Sequence, residues 1–281
     1  MNSRSCPGCG DDGELRYKSN IEPARISETS FSSRKVPELM HHDLYECKAC
    51  TTLFSQVTDA DGLLKSYESA PLHATQESVA AAKTYRALIE ETTKLPPFSI
   101  LDVGCGDGAF LSQMLNAGSQ IAHGVEPSRA AAAQCRDGRV SVVATTLNEV
   151  PGNTTYDAVC LFQTVEHIPD PKRLIELMVS RLNSDGSIYL VCHDRHSLVN
   201  RLLRKRSPIF DIEHLQLFTQ AGIRQLLESS GLQIRVLKRF SNQYPLSYAL
   251  RLTFPKMSIP NWCSRINIPV PAGNLFVCAS R

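Results

Sequence analysis

Three alternating glycines give the chain its most chemically loaded stretch, Ile100-Leu101-Asp102-Val103-Gly104-Cys105-Gly106-Asp107-Gly108. An apolar run enters it, and the apolar-periodic Phe110, Leu111, Met114 and Leu115 leave it. That order reads as strand, tight turn, helix, the geometry in which glycine lets backbone approach a nucleotide-like ligand closely. An acid, Glu126, ends the next apolar run, Ile121 to Val125, 18 residues past Gly108. A carboxylate placed there can accept hydrogen bonds from both ribose hydroxyls. The spacing is G-x-G-x-G rather than the dinucleotide G-x-G-x-x-G, and no Lys-Ser/Thr ending marks a phosphate-cradling loop. A ligand with a ribose and no pyrophosphate fits best.

A second chemistry is written near the start. Cys6-Pro7-Gly8-Cys9 and Cys47-Lys48-Ala49-Cys50 are two C-x-x-C knuckles. Each puts two thiolates on one turn, and together they complete a tetrahedral zinc site with Zn–S bonds near ~2.3 Å. Four thiolates leave no open position for water, so the expected role of Zn2+ is structural; redox or incidental cysteines are the alternative. The other six cysteines (Cys105, Cys135, Cys160, Cys192, Cys263, Cys278) are scattered, several within apolar runs, and read as small core residues. The 37 residues between Cys9 and Cys47 exceed a minimal ribbon. They are expected to hold a polar excursion from Ser27 to Lys35 and a strand at Leu44 to Glu46.

Taken in order, the motifs of the larger part resemble those of the class I S-adenosylmethionine-dependent methyltransferases. Leu101 to Gly108 is similar to their first motif and Gly124-Val125-Glu126-Pro127-Ser128 to their second. Tyr156-Asp157-Ala158-Val159, running on to Val165-Glu166-His167-Ile168-Pro169-Asp170-Pro171, is similar to their fourth. The match covers roughly residues 75–240. It implies a Rossmann-like methyltransferase sheet with S-adenosyl-L-methionine as cofactor. Gly104, Gly106 and Gly108, with Asp102 beside them, would wrap the methionine part, and Glu126 would hold the ribose. Thr146 and Leu147 would flank the adenine, or simply pack their loop. Gln163 would lie near the sulfonium or its carboxylate. Glu166 and His167 form either the lip of the cofactor site or a helix-entry pair.

A narrower resemblance is to the sugar C-methyltransferases of deoxysugar biosynthesis, which also carry an N-terminal four-cysteine zinc module. Lys65-Ser66-Tyr67-Glu68-Ser69 is similar to their tyrosine-rich stretch, His167 to a histidine after their fourth strand, and Glu213-His214-Leu215-Gln216-Leu217-Phe218 to an acidic-histidine pair. Those enzymes have a tyrosine three residues before the second histidine, where this chain has Asp211. The resemblance implies a small-molecule acceptor: a sugar, a glycan precursor or a related metabolite. His214 is the candidate base, oriented or charge-stabilised by Glu213 and Asp211, with His167 and Tyr67 alongside. A lone histidine ahead of a helix capped by Thr219 can instead be a structural hydrogen-bonder. The cluster Arg201, Arg204, Lys205, Arg206 would grip the diphosphate of a nucleotide- or lipid-linked sugar, unless it is a solvated helix face. Asn242 to Tyr248 reads as an acceptor-side lid or as edge packing. An RNA-modifying methyltransferase whose zinc module grips RNA is the alternative function, though such enzymes place the third ligand much nearer the second.

Positioning these residues requires an alternation of strands and helices from residue 98 onward, the pattern of an α/β, doubly wound, mostly parallel sheet. Seven strands are expected near 99–103, 121–125, 140–143, 157–162, 187–192, 233–239 and 275–279. Helices are expected near 108–117, 128–136, 171–182, 197–204 and 219–230. The glycine loop, Glu126, Thr146, Gln163 and His193-Asp194 all follow strand ends and so share one rim. A zinc-binding module over 1–70, a helical linker or cofactor cap over 71–97 (helix Ser78 to Leu95, stopped by Pro96-Pro97) and a cofactor-binding domain over 98–281 complete the plan. The net charge of +2 and 7% aromatic content show no basic, aromatic-studded nucleic-acid surface. Nucleic acid and a transmembrane segment are therefore not expected, and the absence of an apolar signal core makes the cytoplasm the expected location.

Overall fold

The computed structural model describes residues 4–32, 37–71, 76–247, 250 and 259–281. Two sheets share the chain. The smaller begins with β1 (Gly13–Tyr17), β2 (Leu44–Cys47) and β3 (Leu53–Phe54), each antiparallel to the next. Its fourth strand comes from far along the chain, where Gln216–Leu217 pairs with Phe54 and Leu53. Helices α1 (Ala60–Ser69) and α2 (Gln76–Glu90) then lead to the larger sheet.

That sheet contains β4 (Ser99–Val103), β5 (Ile121–Val125), β6 (Ser141–Ala144), β7 (Tyr156–Phe162) and β8 (Leu182–His193). After β9 (the Gln216–Leu217 strand of the small sheet) come β10 (Gln233–Pro245) and β11 (Asn267–Ser280). The order is β10-β11-β8-β7-β4-β5-β6. Every neighbour is parallel except β11, which runs antiparallel to both β8 and β10. The helices between them are α3 (Ala109–Ala117), α4 (Arg129–Ala132), α5 (Pro171–Ser180), α6 (Leu198–Leu203) and α7 (Gln220–Ser229).

The inner strands β4 and β7 are buried almost throughout, which is why they read as near-continuous apolar runs, whereas the edge strands β6 and β10 are more exposed. In β4, Leu101 and Val103 face one core with Ile175 and Met178 of α5 and Ile223 and Leu226 of α7. Ile100 faces the other, with Leu88 and Ile89 of α2 and Phe110, Leu111 and Met114 of α3. Each such side chain contributes roughly 1.5–3 kcal/mol by leaving water. Cys105, Cys160, Cys192, Cys263 and Cys278 are buried as expected. From β4 the chain winds outward through β5 to β6, then returns to β7 on the other side of β4. That reversal opens a crevice at the carboxyl ends of β4 and β7, where ligands bind in open sheets of this kind.

Several elements differ from expectation. The linker helix ends at Glu90, well before Pro96-Pro97. Helix α4 stops after one turn, at Ala132, and Asp137 then holds the backbone amide and guanidinium of Arg139. The proline-rich stretch is partly sheet: the β10–β11 ladder continues to Pro245 opposite Asn267. Tyr248 and Pro255, within the expected lid and proline-rich segment, lie outside the described residues, as does Lys35 at the end of the polar excursion. Strands β1 and β3 and helix α1 have no counterpart among the expected elements.

The cysteine module is welded to the large sheet's surroundings rather than strung beside them. Leu44 and Leu53 share a core with Ile209, Phe210 and Leu217. A Cβ on Gly8 would come within 3.0 Å of the backbone of Gly222, so the first knuckle packs directly on the opening turn of α7. Thr219, the N-cap of α7, donates its hydroxyl to the Cys50 carbonyl at 2.7 Å. No helix of the described residues is long and apolar enough to cross a membrane.

Candidate active site

The turn after β4 is shaped by its glycines. Gly104 has φ +82°, and a side chain there would strike Thr164 Oγ1 at 2.5 Å. Gly106, at φ +56°, faces open space with nothing within 4 Å. Of the three glycines, it is the one that leaves room for a ligand against bare backbone. Glu126 reaches this turn from the end of β5. Its Oε2 accepts from the Gly106 amide and its Oε1 from the Ser128 amide, each at 2.8 Å. Burial pushes the Glu126 carboxyl above its usual range, and those two amides offset part of the rise. A carboxylate has about four acceptor sites, so hydroxyl donors can still be received.

Two buried polar atoms stand orphaned beside the crevice. Asp102 Oδ1, in β4, has no hydrogen-bond partner, and burial first, then the charge of Glu126, raises its carboxyl to about 8. Gln163, directly after β7, is held at φ +52° with Nε2 unpartnered. A buried acceptor and a buried donor, each lacking a mate, suit the ammonium and carboxylate of an amino-acid group. Thr146 and Leu147 are engaged within their loop: the Thr146 hydroxyl donates to Glu149 Oε1 at 3.0 Å, and Leu147 is buried in the core.

Across the crevice the ends of β7 and β8, α1 and the Ser207–Phe218 loop bring histidines together. The His167 and His214 ring centroids are 4.9 Å apart, and those of His193 and His214 are 5.3 Å apart. His214 donates Nδ1–H to the Ile209 carbonyl at 2.9 Å, which makes Nε2 the basic nitrogen of the neutral ring. Tyr67 OH meets His167 Nδ1 at 3.0 Å, and Glu213 Oε2 lies 3.8 Å from the same nitrogen. Burial, then the charges of Glu213, Asp211 and Glu166, push the Tyr67 phenol well above its ordinary value, so it stays protonated. His167, Glu213 and His214 present ligand atoms within 4.8 Å of one another, close enough to share a proton or a cation.

Asp211 accepts from the Glu38 amide at 2.9 Å and so ties the loop to the cysteine module. Arg204 is exposed in the turn after α6 and is not brought to the histidines. Glu166, expected at the cofactor-site lip or as half of a helix-entry pair, and His193, expected on the rim, both lie in this cluster. Fully buried Glu166 accepts from the His193 amide at 2.6 Å, and burial raises its carboxyl to about 7. Burial holds His193 down at about 4, while its Nδ1 donates to Asn274 Oδ1 at 2.9 Å. In the sequence both are marked only by their place at or after a strand end, His193 closing β8 and Glu166 following β7.

In the module, Cys6 Sγ and Cys50 Sγ lie 3.5 Å apart and Cys9 Sγ and Cys47 Sγ 3.3 Å apart, with all four sulfurs within 4.8 Å. A tetrahedral metal with ~2.3 Å bonds sets its sulfurs about 3.8 Å apart, so the cluster could hold a metal ion.

A seven-stranded sheet with one antiparallel strand, and a glycine turn and acid gripping the rim at its reversal, define an S-adenosylmethionine-dependent methyltransferase. Comparison with known proteins agrees. A family model described as a methyltransferase domain matches residues 72–237, and the chain belongs to that family. It is 33% identical over 105 residues to a ubiquinone biosynthesis O-methyltransferase of Xanthomonas campestris pv. campestris (strain B100), covering 34% of this chain and 43% of the relative. It is 28% identical over 111 residues to a tRNA U34 carboxymethyltransferase of Cronobacter sakazakii (strain ATCC BAA-894), covering 37% and 34%. The chain thus matches less than half the length of these relatives. Among solved structures, the plantazolicin methyltransferase BpumL, in complex with a desmethylPZN analog and SAH, aligns with TM-score 0.53 and 19% identity over 78% of this chain and 89% of its own. A methyltransferase from Mesorhizobium loti aligns with TM-score 0.51 and 17% identity over 74% and 100%. At such identities these likenesses speak for the fold.

Proposed function

We propose that the protein methylates a small molecule that must lose a proton on reaction, with His214 as the base. The observation that carries this reading is the Nδ1–H bond from His214 to the Ile209 carbonyl, which sets a buried imidazole with its basic nitrogen defined. Bound in the crevice, S-adenosylmethionine supplies an already activated methyl group. Gly106 would leave room for it, Glu126 would hold the ribose, and Asp102 and Gln163 would receive its ammonium and carboxylate. The chain's remaining work is to align the acceptor and exclude water, which can contribute ~7–11 kcal/mol to lowering the barrier.

His167 and Tyr67 would form the wall against which the acceptor rests, and Glu213 would stabilise positive charge on the imidazoles. Zinc on Cys6, Cys9, Cys47 and Cys50 would hold the small sheet, and through β9 the His214 loop, in register. Support for a sugar, glycan precursor or related metabolite as acceptor comes from the four-cysteine module combined with the Tyr67, His167 and Glu213-His214 order. Incubating the purified protein with labelled methyl donor and a metabolite extract tests the assignment. Label should enter small molecules and fall away in His214→Ala; label entering a tRNA fraction instead would favour the nucleic-acid reading.

A further inference from the structure

Helix α6 is built inside out. Its buried side is polar: Asn200 Nδ2 donates to the Asp194 carbonyl at 2.7 Å, Asn200 Oδ1 receives the Ser207 hydroxyl at 2.7 Å, and Ser197 caps the helix. Its outward side is apolar. Leu198 is 83% exposed and Leu202, one turn on, is 84% exposed, with Leu203 also exposed beside them. These are the two most exposed large apolar side chains among the described residues. Two leucines at i and i+4 share a face, so they form a ridge rather than scattered points.

Charge surrounds that ridge on one side only. Residues 198–206 carry Arg201, Arg204, Lys205 and Arg206 and no acid, against a net charge of only +2 for the whole chain. All four cations are exposed, and none makes an ion pair among the described residues. Lys205 rests over the Tyr17 ring at 4.7 Å. A cleft of about 750 Å³ beside the helix is lined in part by Leu198, Arg201 and Arg239. Exposed leucines flanked by cations match the two parts of an anionic bilayer surface, acyl chains below and phosphate above. An RNA partner would not call for bare leucines, and it would want aromatic stacking surfaces that α6 lacks.

We infer that α6 and its basic run dock the protein on an anionic phospholipid bilayer. In the chain the segment lies between His193 and His214. This inference stands apart from the acceptor assignment, because it concerns a surface that can be assayed without turnover.

Sedimentation of the full chain with vesicles tests it. The protein should pellet with phosphatidylcholine vesicles containing about one-third phosphatidylglycerol at roughly 0.1 M salt, and stay in solution with phosphatidylcholine alone. Arg201→Gln, Arg204→Gln and Arg206→Gln together should weaken binding about a hundredfold, roughly fivefold per charge. Leu198→Ser with Leu202→Ser should weaken it at least tenfold while S-adenosylmethionine binding is retained. All five side chains are exposed, so folding is not at stake. Failure of the unmodified protein to pellet with anionic vesicles would overturn the inference. So would undiminished pelleting of the leucine variant, or tRNA retention that depends on the arginines and ignores the leucines.

Discussion

The two walls of the crevice are made in different ways. The proposed cofactor wall is local: Asp102, Gly106, Glu126 and Gln163 sit at three neighbouring strand ends, in β4 or in the turns that follow β4, β5 and β7. The proposed acceptor wall is assembled: Tyr67 from α1, His167 after β7, His193 at the end of β8 and His214 from a loop whose outer end, β9, is a strand of the cysteine module's sheet. A locally built site should survive the loss of distant parts, whereas an assembled one should not.

Removing the zinc proposed for the four-cysteine cluster gives the hardest test. Structural zinc is worth ~10–16 kcal/mol in small modules. Chelation, or Cys47→Ser with Cys50→Ser, should release the small sheet and the His214 loop together. The expectation is loss of acceptor methylation and a lower melting temperature, with cofactor binding kept. Cofactor binding lost in parallel would show that the walls are not separable.

Next in size is the base. Positioned general bases contribute typically 10²–10⁴-fold. His214→Ala should cut kcat by that order, and the pH–rate profile should lose its acidic limb. Full activity on the true acceptor would leave His214 structural.

A smaller effect separates the buried acid Glu166 from its neighbour His193. Glu166 is raised from 4.5 to about 7 by burial, so its contribution to stability is present below pH 4.5 and lost as pH rises toward 7. His193 runs the other way: lowered from 6.5 to about 4, its contribution is present above 6.5 and lost as pH falls toward 4. The stability gained by Glu166→Gln over the native chain should therefore grow between pH 4.5 and 7, as read from denaturant midpoints. A gap constant with pH would remove Glu166 as a titrating group.

The same contrast governs how much of each wall the amino-acid order discloses. The proposed cofactor wall is legible because Leu101–Gly108 and Ile121–Glu126 carry strand, turn and acid in one continuous run, and the inner strands β4 and β7 are apolar stretches buried almost throughout. The acceptor wall is legible only in pieces. His214 and Tyr67 can be picked out, but β9 is a two-residue strand whose pairing with Leu53 and Phe54 spans more than 160 positions. No local pattern encodes such a pairing. Helix α6 is expected near 197–204, but which side it buries is not written in its apolar pattern; the bonds of Asn200 and the exposure of Leu198 and Leu202 show it.

The most direct check of the division between the two walls is calorimetric titration of S-adenosylmethionine into Glu126→Ala and His214→Ala beside the unaltered protein. The account predicts at least tenfold weaker binding, about 1.4 kcal/mol, for the first and an unchanged isotherm for the second. Unchanged affinity in Glu126→Ala, or equal loss in both, would contradict it.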